Sequence, residues 1–257
     1  MTPVLEARGL TKTFGAVTAA DDIHVAVADG EIVGIIGANG AGKTTFVNMV
    51  TGYLKPSAGQ ILYRGTDITG RDSREITKLG IHRSFQIAQV FPDITVLDNV
   101  LVALGVAGDL PRTIFKPLRS PKTEAAADEI IARYGIGEYR NVKAGLLPQG
   151  VRKLLDIAMA MVGDPKIILL DEPTSGVSAD EKLEAMRGLL KVLKDDKVTV
   201  LFVEHDMEIV GEFAQRVIAF YDGRILADGK PDEVLSDSSV REFVIGPELH
   251  RRSAGKD

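Results

Sequence analysis

A glycine-rich run near residue 40 has the residue types and spacing of a site for phosphate groups. Its sequence, Gly37-Ala38-Asn39-Gly40-Ala41-Gly42-Lys43-Thr44, matches G-x-x-x-x-G-K-S/T at every fixed position, between a strand pattern and a helical pattern. Glycines let the main chain wrap closely around a phosphate, and amide groups at a helix start point at the anion. Lys43 would add a point charge for the β- and γ-phosphates, and the Thr44 hydroxyl can bind Mg²⁺. A structural glycine-rich turn is the disfavoured alternative. The predicted nucleotide-binding residues here are Gly37, Asn39, Gly40, Ala41, Gly42, Lys43, Thr44 and Thr45.

Two adjacent carboxylates, Asp171 and Glu172, follow the apolar run 168–170. The tip of a strand beside a phosphate loop is where a second acid on the Mg²⁺ side belongs. Asp171 would hold the metal, usually through water, and Glu172 would orient or deprotonate an attacking water. Taken alone, an acidic turn after a strand explains these two residues equally well.

Three further residues acquire a functional meaning only in combination with these motifs. His205 follows the predicted strand 198–203 and could hydrogen-bond a γ-phosphate, although a lone histidine is usually structural. Gln86 by itself carries no signal, and Phe14 by itself is typical of a core aromatic residue.

Composition narrows the classes of protein that remain. The chain has 257 residues, of which 45% are hydrophobic and 26% charged, and its formal net charge is -5. This balance disfavours nucleic acid as the main partner, because phosphate backbones are bound by basic faces. The lack of cysteine excludes a disulfide scaffold and a cysteine-based metal site. No apolar run approaches the roughly 18 residues that span a bilayer. If this protein acts at a membrane, we therefore expect it to do so by docking on another chain.

The residues named above must be held by strands and helices that alternate along the chain. Strand patterns occur in short runs between residues 4 and 36, in a hairpin at 59–68, and at 167–170, 198–203 and 217–220. Helical patterns occur at 45–50, 94–107, 122–134 and 151–162. This alternation predicts an α/β fold with a mostly parallel sheet covered by helices on both faces.

Three local features qualify these elements. Residues 108–122 contain three prolines and four basic residues, which predicts an irregular insertion. Ser178 and Glu181 have the spacing of a capping box that opens a further helix. The helix at 151–162 should bury a stripe formed by Val151, Leu154, Leu155, Ala158, Met161 and Val162.

The order of Phe14, the phosphate loop, Gln86, Gly150, Asp171-Glu172, Ser178 and His205 resembles the ABC ATPase family over residues 4–245. The resemblance implies one domain with a RecA-like P-loop NTPase core, an N-terminal antiparallel β subdomain and a helical insertion subdomain at about 89–163, followed by a tail at 246–257. It implies ATP and Mg²⁺ as cofactors. It also implies that Phe14 stacks on adenine and that Gln86 binds Mg²⁺ and couples to a partner. Glu172, His205 and Gln86 would act in catalysis.

The resemblance is weakest at the signature segment, which we define as Leu147–Val151. The family usually has L-S-G-G-Q, whereas this chain has Leu-Pro-Gln-Gly-Val, so only the leucine and the second glycine remain. In the family this segment contacts the ATP held by a partner, a role that would fall here to Pro148, Gln149 and Gly150. The departure concerns the partner's nucleotide and leaves this chain's own phosphate loop intact.

More narrowly, the runs 96–103, 203–207 and 228–234 are similar to the longer ATPase of branched-chain amino acid importers. This likeness implies a peripheral ATPase at the cytoplasmic face of the inner membrane, bound to two permease subunits and to a second ABC ATPase, in a heterodimer or a homodimer. A periplasmic binding protein would take part indirectly, and nucleic acid would not. Importers of urea, short amides or aromatic acids stay open, as does a nucleotide-gated regulator with weak ATPase activity.

Overall fold

The computed structural model describes residues 2–84, 90–107, 119–178 and 181–246. Its strands are β1 Leu5–Phe14, β2 Val17–Val27, β3 Ile32–Gly37, β4 Ala58–Tyr63, β5 Thr66–Asp67, β6 Ile81–Ser84, β7 Ile167–Asp171, β8 Thr199–Val203, β9 Arg216–Tyr221 and β10 Arg224–Gly229. Its α-helices are α1 Lys43–Val50, α2 Ser73–Lys78, α3 Val96–Ala107, α4 Pro121–Arg133, α5 Gln149–Met161, α6 Lys182–Asp195, α7 Met207–Phe213, α8 Pro231–Ser236 and α9 Ser238–Val240. They fall into two compact units, the first made of residues 1–79 and 199–257 and the second of residues 80–198.

The first unit contains an antiparallel sheet in the order β2-β1-β4-β5. Of the short strands predicted between residues 4 and 36, the run at 32–36 is confirmed as β3. The earlier ones are in fact two long strands, because β1 and β2, of 10 and 11 residues, pair with bulges that account for their irregular pattern. The hairpin predicted at 59–68 is confirmed. Arg64 and Gly65 form its two-residue turn with φ of 49° and 77°, as a type I′ turn requires.

The same unit holds the strands that lead to the phosphate loop, in the order β10-β9-β3-β8. Strand β3 runs parallel to both β8 and β9, whereas β10 returns antiparallel to β9. All residues of β3 and β8 are buried, which is why both read as continuous apolar runs in the sequence. The predicted mostly parallel sheet is thus confirmed, with one antiparallel strand at its edge.

The second unit combines the parallel pair β6 and β7 with helices α3 to α6. Helices α3, α4 and α5 pack against one another, and α5 also packs on β6. None of the helices within the described residues is long and apolar enough to cross a bilayer.

Two predicted helix boundaries are wrong. The irregular insertion predicted at 108–122 ends before Pro121, because Ser120 caps α4 in a capping box with Thr123; residues 108–118 lie outside the described residues. Helix α6 begins at Lys182 rather than in a capping box at Ser178. The Ser178 hydroxyl instead donates to the Glu181 carboxylate at 2.6 Å, and Glu181 is an N-cap without a side-chain bond.

A buried amide shapes the turn that precedes α3. Asn99 is fully buried, and its side-chain oxygen accepts from the Phe91 N–H at 2.8 Å. Its side-chain nitrogen donates to the carbonyls of Phe91 at 3.1 Å and Thr95 at 2.8 Å. One side chain therefore binds both the N–H and the carbonyl of Phe91, and it adds a second hydrogen bond to the Thr95 carbonyl, which also accepts from the Asn99 main-chain N–H.

Replacing this amide should destabilise the protein. We expect Asn99→Ala to lower the free energy of unfolding by about 2–4 kcal/mol, because several buried hydrogen bonds are lost together. Urea denaturation followed by circular dichroism measures the change. Asn141→Ala removes an exposed asparagine and should cost about 0.5 kcal/mol or less. Equal losses in the two variants would contradict the role assigned to Asn99.

Candidate nucleotide-binding site

The phosphate loop connects the buried end of β3 to the start of α1 and is backed by other main chain. A Cβ atom added at Gly37 would lie 2.6 Å from the Phe220 carbonyl oxygen, and one added at Gly42 would lie 2.8 Å from the Ala19 carbonyl oxygen. Gly42 also has φ of 101°, and its carbonyl accepts the hydrogen bond from Phe46 N–H at 2.9 Å. Only glycine fits these two positions, since a side chain would collide with backbone.

The outer rim of the same loop is open. Ala38, Asn39 and Gly40 are exposed, and nothing lies within 4 Å of a Cβ added at Gly40. Helix α1 carries no acidic residue in its first turn and has no side-chain cap. No side chain therefore compensates the positive end of the α1 dipole, and this arrangement fits a bound phosphate chain.

Lys43 is buried inside this loop, with 6% of the residue exposed. Its ammonium donates to the carbonyl oxygens of Gly37 at 2.6 Å and Ala38 at 2.9 Å. The positive charge is thus held by the loop itself. The neighbouring Thr44 is exposed and Thr45 is partly exposed, which leaves the Thr44 hydroxyl accessible at the helix start.

Phe14 ends β1 with 52% of the residue exposed, so the interpretation of Phe14 as a core aromatic is wrong. The Lys12 ammonium lies 5.1 Å from the centre of its ring. An exposed aromatic face of this kind can stack on a planar base.

His205 lies just beyond β8, and the phosphate loop lies just beyond β3. Val203 pairs with Ile35 in the parallel register, so both segments leave the sheet at the same edge. His205 is exposed, and its main-chain N–H donates to the buried Glu204 carboxylate at 3.2 Å. The first unit therefore brings His205 and the phosphate loop to one edge, as the carboxyl ends of parallel strands do in α/β sheets.

In the second unit, β7 carries the two predicted carboxylates at its end. The Arg83 guanidinium donates to the Asp171 carboxylate at 2.8 Å, and the Lys153 ammonium donates to the Asp171 main-chain oxygen at 2.8 Å. Glu172 has φ of 48°, an uncommon left-handed conformation for a residue other than glycine. Such strain costs on the order of 1 kcal/mol or more and is found most often at functional positions.

The signature segment opens α5. Pro148 is the N-cap and makes no side-chain cap bond, and both Pro148 and Gln149 are exposed. A Cβ added at Gly176 would lie 2.2 Å from Gln149 Cδ, so the Gln149 side chain packs on the loop that follows Glu172. Gly150 faces Val177 of the same loop, since an added Cβ would lie 3.0 Å from the valine side chain.

Sequence reasoning missed the cations that hold Asp171. The apolar stripe predicted for α5 is wrong in part, because Lys153 and Asp156 are among its buried residues while Val151 and Leu154 are only partly buried. Strand β6 reads Ile-His-Arg-Ser and has one apolar residue, so no strand pattern in the sequence marks the position of Arg83. Gln86 lies outside the described residues. Within the described ranges, no cluster of three or more His, Cys, Asp or Glu side chains could hold a metal ion.

The parallel sheet and the phosphate loop define a P-loop nucleotide-binding protein. The ABC transporter family model matches residues 20–175, which is more than half of the chain. BraF of Pseudomonas aeruginosa, a high-affinity branched-chain amino acid transport ATP-binding protein, is 33% identical over 95% of this chain and 98% of its own length. LivG of Escherichia coli, which has the same description, is 34% identical with the same coverage.

Solved structures agree with this relationship. A nucleotide-free ATP-binding cassette from an ABC transporter superposes with a TM-score of 0.83 and 30% identity, covering 93% of this chain and 98% of that one. The ADP conformation of an ATP-binding cassette of an ABC transporter gives a TM-score of 0.82 and 29% identity, covering both chains completely. The chain belongs to the ABC transporter family, and it is an ATPase of that family.

Removing the buried ammonium should remove nucleotide binding. We expect Lys43→Ala to weaken binding of a labelled ATP analogue in Mg²⁺ by about 100-fold or more, because charge-assisted bonds to the phosphates are lost. Equilibrium titration measures the affinity. Lys78→Ala removes an exposed lysine in the same unit and should leave the affinity unchanged. Unchanged affinity in Lys43→Ala would contradict the assignment of the phosphate loop.

Proposed function

We propose that this chain is the ATP-hydrolysing subunit of an importer for branched-chain or related amino acids. The phosphate loop, with Lys43 held inside it and an open rim, is the observation that carries the ATPase assignment to particular residues. The names of the relatives that match 95% of the chain support the substrate class.

The residues of the first unit would bind the nucleotide. Phe14 offers an exposed ring for the adenine base, and the loop amides and Lys43 offer donors and charge for the phosphates. His205, at the same edge of the sheet, would hydrogen-bond the γ-phosphate. Thr44, Asp171 and Gln86 would hold Mg²⁺, which when bound neutralises charge on the β- and γ-phosphates.

Glu172 would act on the attacking water as general base or orienting group. Its strained backbone supports this role, because strain persists where the surrounding structure serves a particular side-chain direction. The Glu172 carbonyl also accepts from Ser175 N–H at 3.0 Å, which closes the turn behind the carboxylate.

The proposed partners follow from the family to which the chain belongs. Two permease subunits would place the chain at the cytoplasmic face of the inner membrane, and a second ABC ATPase would complete its nucleotide sites. A periplasmic binding protein would deliver the substrate to the permeases. Reconstitution of the complex in liposomes tests this proposal. Uptake of leucine, isoleucine or valine is expected. If the complex instead takes up only urea, short amides or aromatic acids, the proposed substrate class is wrong.

The signature segment supports an asymmetric heterodimer. Pro148 has neither a hydroxyl nor an N–H, so one position loses both donors to a partner's γ-phosphate. The Gln149 side chain packs on Gly176 of its own chain, although its main-chain amide can still donate. The partner's ATP would therefore turn over slowly, and the ATP on this chain's phosphate loop would turn over at a partner's intact signature. A nucleotide-gated regulator with weak ATPase activity is the second candidate that these same residues favour.

The Glu172 carboxylate can be removed without changing its shape. We expect Glu172→Gln to bind ATP with wild-type affinity while turnover falls at least about 100-fold, because the amide cannot accept the proton. Phosphate release and nucleotide binding are measured on the same preparation. Glu184→Gln makes the same charge change at an exposed position of α6 and should leave turnover unchanged. Wild-type turnover in Glu172→Gln would remove Glu172 from catalysis.

The asymmetry is tested by disabling one phosphate loop at a time in the reconstituted transporter. We expect Lys43→Ala to remove most ATPase activity and the matching change in the partner to remove much less. Loss of one or two charge-assisted bonds at the signature slows that site about tenfold to several hundredfold. The proposal is wrong if Lys43→Ala is the milder of the two changes.

A further inference from the structure

Arg83 is a buried cation that none of the roles above uses. Its side chain is 7% exposed, and it forms an ion pair at 2.8 Å with the Asp171 carboxylate, which is 15% exposed. Arg83 pairs with Leu169 in the parallel register of β6 and β7. Because successive side chains point to opposite faces of a strand, Asp171, two residues after Leu169, lies on the same face as Leu169. The register itself therefore brings the guanidinium to the carboxylate.

The pair is costly for the fold. Removing two charges from water costs several kcal/mol per ion, and apolar residues of similar volume often stabilise a protein as well or better. Residues 167–170 of β7 are apolar and buried, and so is Ile81 of β6. An arginine at this position is thus not what holds β6 to β7, and its contact with Asp171 calls for another explanation.

Asp171 is held by two buried cations that act on different atoms. Arg83 donates to the carboxylate oxygen Oδ2, whereas Lys153, which is 3% exposed, donates to the main-chain oxygen at the same distance of 2.8 Å. Lys153 therefore fixes the backbone at the end of β7. Of these two cations, Arg83 is the one that acts on the carboxylate, the group that would meet a metal ion.

Building on the proposed place of Asp171 on the Mg²⁺ side of the site, we propose that Arg83 is a positioning residue that orients the Asp171 carboxylate and sets the Mg²⁺ requirement of nucleotide binding. Holding Oδ2 fixes the direction in which the other oxygen points. The guanidinium charge also opposes a second cation at the same carboxylate, because like charges a few ångströms apart repel strongly where water is excluded. Arg83 thus fixes the orientation of the Asp171 carboxylate and at the same time lowers its affinity for Mg²⁺.

The experiment measures the affinity of a fluorescent ATP analogue against free Mg²⁺ concentration in the purified full chain. We expect Arg83→Met to bind the analogue normally in EDTA. The Mg²⁺ concentration that gives half of the affinity gain should fall about threefold to tenfold, since a repelling charge is gone. Turnover should fall as well, because the carboxylate is no longer oriented. Arg83→Lys keeps the charge and should keep the Mg²⁺ requirement within about twofold of wild type.

Two further variants make the result specific. Lys166→Met removes an exposed cation that lies just before β7 and pairs with Asp164, and it should not change the Mg²⁺ requirement. If Arg83→Met does not fold, Arg83→Gln removes the charge while keeping a donor, and the same fall is expected. An unchanged or increased Mg²⁺ requirement in a folded, uncharged Arg83 variant overturns the proposal.

Asp171→Asn separates this proposal from the one on which it rests. If Asp171→Asn leaves the Mg²⁺ requirement unchanged, Asp171 does not act on the metal side and its proposed role fails. If Asp171→Asn changes the requirement and the uncharged Arg83 variants do not, only the assignment of Arg83 fails.

Discussion

The phosphate loop can offer its amide groups to an anion only because other main chain holds it from behind. Gly223 N–H donates to the Ala41 carbonyl at 3.1 Å, and Asp21 N–H donates in turn to the Gly223 carbonyl at 2.8 Å. This chain of hydrogen bonds joins the turn between β9 and β10 to β2 and to the loop. The antiparallel sheet is therefore part of the site, since it supplies the rigid backing that preorganised donors need.

In the second unit, a charged side chain must be stabilised at the end of an apolar strand. The Asp171 carboxylate is stable at the tip of β7 because buried cations contact both the side chain and the main chain of this residue. In a second buried hydrogen bond, the Ser84 hydroxyl of β6 donates to the Asp156 carboxylate of α5 at 2.7 Å. The helix that begins with the signature segment is thus bonded to both strands of this unit through polar side chains.

The signature segment shows how a chain can depart from its family without losing its own site. Pro148 is an acceptable residue before a helix, because its missing N–H would have had no partner within the helix. The change therefore costs this fold little. Its consequence falls on whatever nucleotide a partner presents to the segment, which is why the proposed asymmetry belongs to the assembly and not to the stability of the chain.

The sequence by itself determined the features that depend on neighbouring residues. Eight consecutive residues define the phosphate loop. The continuous apolar runs of β3, β7 and β8 predict buried parallel strands. Only the tertiary structure decided the contacts between distant residues. Arg83 and Asp171 are 88 positions apart, and their meeting depends on the register of β6 against β7. Likewise, Lys153 and Asp156 are buried on α5 against its apolar pattern, because polar groups on adjacent strands receive them. A local pattern reports the periodicity of its own element, whereas the partner of a buried charge is set by which elements pack together.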